Sequence, residues 1–454
     1  MNDEVVKEKD EELDILSQVS HAIVEGDSDQ VETILEDLHP AEIAHALEAL
    51  TPEQREFVWP TIPDEHEGEV LLHLNDEARS AIIKKMDPED LVAATEGLDT
   101  DDLADILPEM PQGVIQELLL TMEHQDRERL RSVLQYPEDT AGGLMDLDTV
   151  MVRADITLDV VFRYLRRRGE IPETTDSLFV VDRDGIYQGS LSFTDLLTHD
   201  TETEVDDIMD HDVEGIPATM PAADVANLFE RRDLVTAPVV DENNKLLGRI
   251  TIDDVVDVIR DRADHSFMGM AGLTEEEDLF SPVIKSTRRR ALWLGINLLT
   301  AIVASFVIRQ FDGTIDKLVA LAVLMPIVAS MGGIAGSQTL TLVIRAMALG
   351  QVSTSNAKKL IIKELSVGIW NGLIWAIVII GIVEIWYQDM GLSMVIGFAI
   401  VINLIVAAIS GAMIPIILKK MKADPALSGS VVLTTITDVV GFFVFLGLAT
   451  LFLI

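Results

Sequence analysis

The stretch VVLTTITDVVGFFVFLGLA, Val431 to Ala449, is apolar almost throughout, yet it carries one carboxylate, Asp438, near its middle. It is about as long as a helix needs to be to cross a bilayer, roughly 20 residues. A charge at the centre of such a helix costs at least about 2.5–3.5 kcal/mol to insert. Thr434, Thr435 and Thr437 gather hydroxyls within a turn and a half of it. The sequence places no basic residue at matching depth to neutralise it. Two readings follow: a protonated, structural aspartic acid, or a carboxylate facing a wet cation path. The clustered hydroxyls favour the path.

Working outward, four more apolar stretches are long enough to span. With the first they cover about 291–308, 318–344, 361–386, 391–418 and 428–453. Basic clusters precede the first span (Arg288, Arg289, Arg290), join the second to the third (Arg345, Lys358, Lys359, Lys363) and join the fourth to the fifth (Lys419, Lys420, Lys422). Basic loops stay in the cytoplasm. The N-terminus is therefore expected inside, with no secretory signal at the charged start, and the C-terminus outside. The second span reads LMPIVASMGGIAGSQTLTLVIRA. Its Pro326, Gly332, Gly333, Gly336, Ser337 and Gln338 make a poor lipid-facing helix. Freed backbone is tolerated at membrane depth where it packs on protein or lines water. Close packing through the Gly332/Gly336 pair is the other reading, and Gly368/Gly372 in the third span fits packing better. Asn297 and Asn403 are expected to hydrogen-bond between helices.

The 454-residue chain has a net charge of −43, unevenly spread. Of its 34 basic and 77 acidic residues, 12 and 7 lie from Ser286 onward, which leaves 22 and 70 before it. An acidic half thus precedes an apolar one. Such a half repels nucleic acid and anionic membrane surfaces and attracts cations. Its acidity fits either a solvated, salt-adapted surface or a cation-binding one. With no cysteine, disulfide and thiolate-metal chemistry are excluded.

Residues 1–136 read as helical, with start signals at HPAE, TPEQ, DPED and DTDD. Asp101 and Asp105 fall four apart on one helix face, where like charges repel. Asp254, Asp257, Asp261 and Asp264 form a second acidic stripe. Hydration or a divalent ion would relieve either. Between these lies a repeat: SLFVVDRDGIYQGSLSFTDLL (177–197) matches TAPVVDENNKLLGRITIDDVV (236–256) at a constant offset of 59. Each copy reads as strand, turn, strand, then a helix capped by Thr or Asp, after a preceding helix. Two such βαββα units resemble a CBS-domain pair over about 137–262. The resemblance implies a regulatory module that often binds adenine nucleotides such as ATP. Asp195 would hold a ribose, with Ser192 or Thr194 near the phosphates.

Taken together, the chain resembles the MgtE family of magnesium channels. The residues that carry this are YPEDTAGGLM (136–145), GGIAGSQTLTLVIRA (332–346) and ADPALSGSVVLTTITDVVG (423–441). The fold implied is a multidomain membrane protein. An all-α acidic N-terminal domain (1–136) is followed by an α/β CBS-domain pair (137–262), a linking or plug helix (263–287) and a five-helix α transmembrane domain (288–454). The family implies a homodimer in the lipid of the plasma (bacterial inner) membrane, with a pore on the two-fold axis. Mg²⁺ would be both cargo and regulatory ligand, with no enzymatic activity. The ion site would be Asp438, Thr434, Gly332 and Gly333, and the pore mouth Asp424. The cytosolic sensor would use Asp101, Asp105, Asp233, Asp254 and Asp257, so that internal Mg²⁺ closes the pore.

Two departures from the family pattern stand out. Ile334 follows the Gly pair where Asn is common. The linker has Arg262 and His265 where plug acids are expected, with Glu275, Glu276, Glu277 and Asp278 later. A broader Co²⁺, Mn²⁺ or Ca²⁺ transporter and a membrane-tethered Mg²⁺ or nucleotide sensor are the alternatives. An intramembrane aspartyl protease would need a second Asp at the depth of Asp438, which the other spans do not supply.

Overall fold

A computed structural model describes residues 15–95, 98, 100–122, 124–172, 174–274, 278–353 and 355–454. The chain divides into two compact units, Met1–Arg262 with Glu276–Ser281, and Ala263–Glu275 with Pro282–Ile454. In the first unit, short helices open where the caps are. His39 and Glu42 form a capping box ahead of Pro40–Glu48, and Thr51 and Gln54 another ahead of Pro52–Val58. Proline at the first helical position reinforces each start. Helices Pro88–Ala94 and Thr100–Ile106 begin at the other two signals. Inward-facing residues of these helices and of Glu67–His73 and Asp76–Ile83 (Ile43, Leu47, Leu71, Ile83, Leu91, Ile106) are buried in one cluster with Ile216, Val225, Phe229, Val239 and Ile250. The helical region therefore shares a core with the second half of the repeat.

The repeat forms two three-stranded sheets. In the first, β1 (Met151–Arg153) pairs parallel with β2 (Ser177–Val181), which pairs antiparallel with β3 (Tyr187–Ser192). In the second, β4 (Ile216–Pro217), β5 (Thr236–Val240) and β6 (Leu246–Thr251) repeat that order. Equivalent segments of the two copies meet across the pair. Ser177 Oγ lies 3.3 Å from Thr236 Oγ1. Tyr187 N donates to Asn244 O, and Leu246 N to Gly185 O. Gly185 (φ +82°) and Asn244 (φ +61°) take the same left-handed turn in each copy. The sequence expectation of a Thr or Asp cap fails in the first copy, where Ser192 is the N-cap of Phe193–Thr198. Its side chain accepts from Asp195 N and donates to the Asp195 carboxylate.

The segment YPEDTAGGLM winds onto the second copy. Ala141 N donates to Met220 O and Gly142 N to Ala218 O. A Cβ on Gly142 would lie 2.4 Å from the Tyr136 ring, so this turn needs glycine. Asp146 then forms a buried ion pair with Arg249 at 2.9 Å.

In the second unit, five helices among the described residues are long and apolar enough to cross a membrane: spans one (Val283–Arg309), two (Ala320–Ala348), three (Ala357–Tyr387), four (Met390–Lys420) and five (Pro425–Phe452). Span four is the most buried. Glycines set its approaches: Gly368 of span three meets Ala408, and Gly372 meets Val401. Three expectations are corrected here. Span two is one continuous helix through Pro326, so the Gly cluster does not break it. Asn297 donates to Trp293 O within its own helix, so it links no helices. The segment 263–287 is not one linking helix. Helix Ile252–Met270 runs on from the second CBS copy and ends at a turn through Gly272 (φ +76°), and span one begins at Val283.

Candidate ion path and acidic regulatory site

Span two presents a polar face. Gly333, Ile334, Ser337, Gln338 and Thr341 line an open groove of ≈ 510 Å³. Gly332, expected beside Gly333 at the ion site, faces elsewhere: a Cβ there would lie 2.2 Å from Asn403 Nδ2. Asn403 is buried in span four and donates to Val328 O at 2.9 Å, so it does join helices. Gly441 of span five gives it room on the other side. Both readings of the glycine pair thus apply, to different residues: Gly332 packs and Gly333 opens to the groove.

Spans two and five run antiparallel. A Cβ on Gly336 would meet Leu433, and one on Gly429 would meet Leu340. Each step of four up one helix is four down the other, which puts Asp438 level with Met331 to Gly333. Among the described residues Asp438 has no hydrogen-bond or ion-pair partner, and it is half-buried. Thr434, one turn below on the same face, is exposed, and its hydroxyl donates to Ser430 O. Thr437 is buried and bonded to Thr434 O, so it belongs to the packing. Asp424 caps span five, accepting from Ala426 N at 2.8 Å. Its other oxygen lies 2.9 Å from His265 Nε2 on the end of helix Ile252–Met270. A histidine in place of an acid thus makes a direct contact at the expected mouth.

The sequence reading missed Glu364, a buried carboxylate in the membrane unit. It is 3 % exposed and accepts from Thr339 Oγ1 at 3.1 Å and from Lys363 Nζ at 2.5 Å. A glutamate at the start of an apolar run, directly after a lysine, was the available signal.

In the first unit, the acids of two stretches come together. Asp105, on helix Thr100–Ile106, remains open to solvent but is flanked by protein. Desolvation pushes its carboxyl up to about 6, Arg79 pulls it back, and Glu138, Asp257 and Asp76 push it further. Desolvation also raises Asp254, to about 7, with Asp253 and Asp102 adding to it and Thr251 hydrogen bonds opposing. Asp257 is raised by desolvation and by Asp253, against Arg260 and His73. Asp105 is thus within electrostatic reach of Asp257, and Asp254 within reach of Asp102, so acids of helix Ile252–Met270 lie near acids of helix Thr100–Ile106. Asp101 lies on the same helix, but its side chain is outside the described residues, as are Glu275, Glu276 and Glu277. Asp233 is the exposed C-cap of helix Ala222–Arg232 at φ +52°, where the first copy has Gly169. Among the described residues no three or more His, Asp or Glu side chains converge as a ready-made metal cage. Half-exposed carboxylates with mutual repulsion suit a hard, hydrated dication held through water.

In the first CBS copy Asp195 and Ser192 are bonded to each other, and Thr194 is exposed beside them. Asp254 and Thr251 repeat the arrangement at 2.9 Å. The Ser/Thr-x-x-Asp motif is thus first a helix cap.

A CBS-like pair with an acidic helical domain, followed by a unit of five helices long and apolar enough to cross a membrane, defines a multi-pass membrane protein. Family models match it in three parts: an intracellular N domain of MgtE over 38–139, CBS domains over 141–202 and 205–261, and a divalent cation transporter of MgtE type over 325–448. The chain is 32% identical to the magnesium transporter MgtE of Thermus thermophilus over 440 residues, covering 96% of this chain and 98% of that one. It is 29% identical to the Bacillus subtilis protein of the same name, covering 90% and 93%. A crystal structure of the cytosolic domain of the Mg²⁺ channel MgtE in complex with ATP is 34% identical, with a TM-score of 0.49, covering 54% of this chain and 99% of that one. The chain belongs to the MgtE family.

Proposed function

We propose that the protein is a Mg²⁺ channel or transporter of the plasma membrane, closed by internal Mg²⁺. The observation that carries this is the unpartnered Asp438, level with the polar groove of span two. A carboxylate at membrane depth with no protein counter-charge fits a mobile dication. In a homodimer with its axis along the groove, two Asp438 carboxylates would face one ion, and Thr434 and the Gly333 backbone would bind its hydration shell. The open groove and the largely exposed span one support a second copy and lipid as their neighbours. The basic loops support a cytoplasmic N-terminus and an outward C-terminus.

The apposed Asp105, Asp254 and Asp257 would be the sensor. Repulsion loosens the packing of the helical region on the second CBS copy until Mg²⁺ bridges it, which links closure to ion concentration. Asp101 and Asp233 would extend that surface, and His265–Asp424 would seat the helix end at the mouth. ATP would bind the first CBS copy near Ser192, Thr194 and Asp195. The apolar, exposed Ile334 in the groove favours, as a second reading, a less selective divalent path. The test is divalent influx into proteoliposomes with Mg²⁺, Mn²⁺, Co²⁺ and Ca²⁺ in turn. Mg²⁺ flux that vanishes in Asp438→Asn supports the proposal, comparable flux of all four ions supports the second reading, and no flux of any of them sinks both.

A further inference from the structure

Asp278, the last of the linker acids, is buried in the first unit. Arg55 Nη1 lies 2.5 Å from one of its oxygens and Arg55 Nη2 3.0 Å from the other. The side chains of Arg55 and Asp278 are 3 % and 4 % exposed. The receptor is built from the helical domain itself. Arg55 Nε donates to Leu47 O at 2.8 Å and Nη2 to Glu48 O at 3.0 Å, which fixes the guanidinium and leaves its outer edge for a carboxylate. On the linker side, Phe280 N donates to Asp278 Oδ1 at 3.0 Å and Ser281 N to Asp278 O at 3.1 Å, a tight turn that presents the acid. Ser281 Oγ also donates to the Glu77 carboxylate. Pro282 is then the one residue between this clip and Val283, the first residue of span one.

A buried ion pair with this geometry holds position more than it adds stability, since desolvation offsets most of its attraction. Its placement is informative. The helical domain connects to the membrane unit covalently through the CBS pair and helix Ile252–Met270. The clip is a second attachment that bypasses both and ends at span one. We propose that Arg55–Asp278 is a latch through which the helical domain acts directly on span one, and that it is closed in the inhibited state. This rests on the Mg²⁺-gated reading above. The inhibited state is the one with the acidic faces together, as they are here. A latch made in that state makes inhibition reachable at lower Mg²⁺, and its loss shifts the balance toward conduction.

The experiment uses the full chain in proteoliposomes. Asp278→Asn keeps the shape and removes the charge. It should leave flux at low internal Mg²⁺ unchanged and raise the internal Mg²⁺ needed for half-inhibition by about fivefold or more, the lower range of ordinary coupling. Arg55→Lys keeps charge but loses the fork, and should shift it in the same direction. Because the chain has no cysteine, Glu77→Cys with Ser281→Cys can be joined by a short thiol crosslinker. The joined protein should be inhibited at lower Mg²⁺ than wild type, and this pair decides the matter if Asp278→Asn does not fold. Failure of the pair to crosslink, or unchanged inhibition in both the joined protein and Asp278→Asn, overturns the latch. If wild type carries no Mg²⁺ flux, the transport reading fails separately. The latch is then judged by whether Mg²⁺ speeds crosslinking, and an unchanged rate rejects it.

Discussion

At the scale of single residues, Gly332 and Gly333 of span two have separate duties. Gly332→Ala would drive a Cβ into the Asn403 amide, which is itself held by Val328 O. We expect a loss of about 1–3 kcal/mol, the usual cost of overpacking. Gly333→Ala, with nothing within 4 Å, should leave stability unchanged. Thermal unfolding of the two purified variants checks this, and equal losses would refute the split. Glu67 offers a pH test at a residue that is not one of the proposed ion ligands. Burial, with Asp64 and Asp90 nearby, raises its carboxyl to about 7. The folded chain therefore holds that proton more tightly than the unfolded one, whose ordinary value is near 4.5. Stability from this group is full below about 4.5 and is lost as pH rises through about 7. Glu67→Gln should thus raise the melting temperature at pH 8 and leave it unchanged at pH 4. A higher melting temperature at both values would assign the effect to something other than charge.

At the scale of elements, the 59-residue repeat told most of what the CBS pair is. Its hydrophobic strands, turn acids and constant offset define two equal units, and equal units pack through equivalent residues such as Ser177 and Thr236. The same reading assigned Ser192 and Asp195 to nucleotide, whereas their first contacts are with each other. A cap motif and a ligand motif use the same residue types, and spacing alone does not separate them. Ser192→Ala should cost about 0.5–2 kcal/mol of stability through lost capping. Thr194→Ala, exposed and outside the cap, should cost no stability and should weaken ATP binding, measured by calorimetry on the full protein. Unchanged ATP affinity in Thr194→Ala would remove that residue from the nucleotide site. The linking helix was misread for a related reason. Helix Ile252–Met270 carries polar residues in its middle, and the acidic stripe that runs through Asp264 was the one sign that a single helix passes from the CBS copy into the linker.

At the scale of the molecule, what was legible were quantities that local chemistry sets: span lengths, the basic loops, the charge division and the mid-span carboxylate. What was not legible were contacts across long sequence separations. Glu364 with Thr339, Asp424 with His265 and Asp278 with Arg55 each depend on how helices are packed. The acids were visible as stripes, and the structure adds that Asp105 lies within electrostatic reach of Asp257, and Asp254 of Asp102. Neutralising that surface should stabilise it without ions. Asp105→Asn with Asp257→Asn should raise the melting temperature in Mg²⁺-free buffer and abolish most of the further rise that Mg²⁺ gives wild type, since a ligand stabilises the state it binds. A Mg²⁺-induced rise equal to that of wild type would place the regulatory ions elsewhere.

On the reading proposed above, Asp438 is there for the ion. Mg²⁺ influx into proteoliposomes, at low Mg²⁺ on the cytosolic face, should be robust in wild type and lost in Asp438→Asn, with the variant folded and assembled as wild type is. Wild-type flux in Asp438→Asn would mean that the carboxylate belongs to the packing and that the path lies elsewhere.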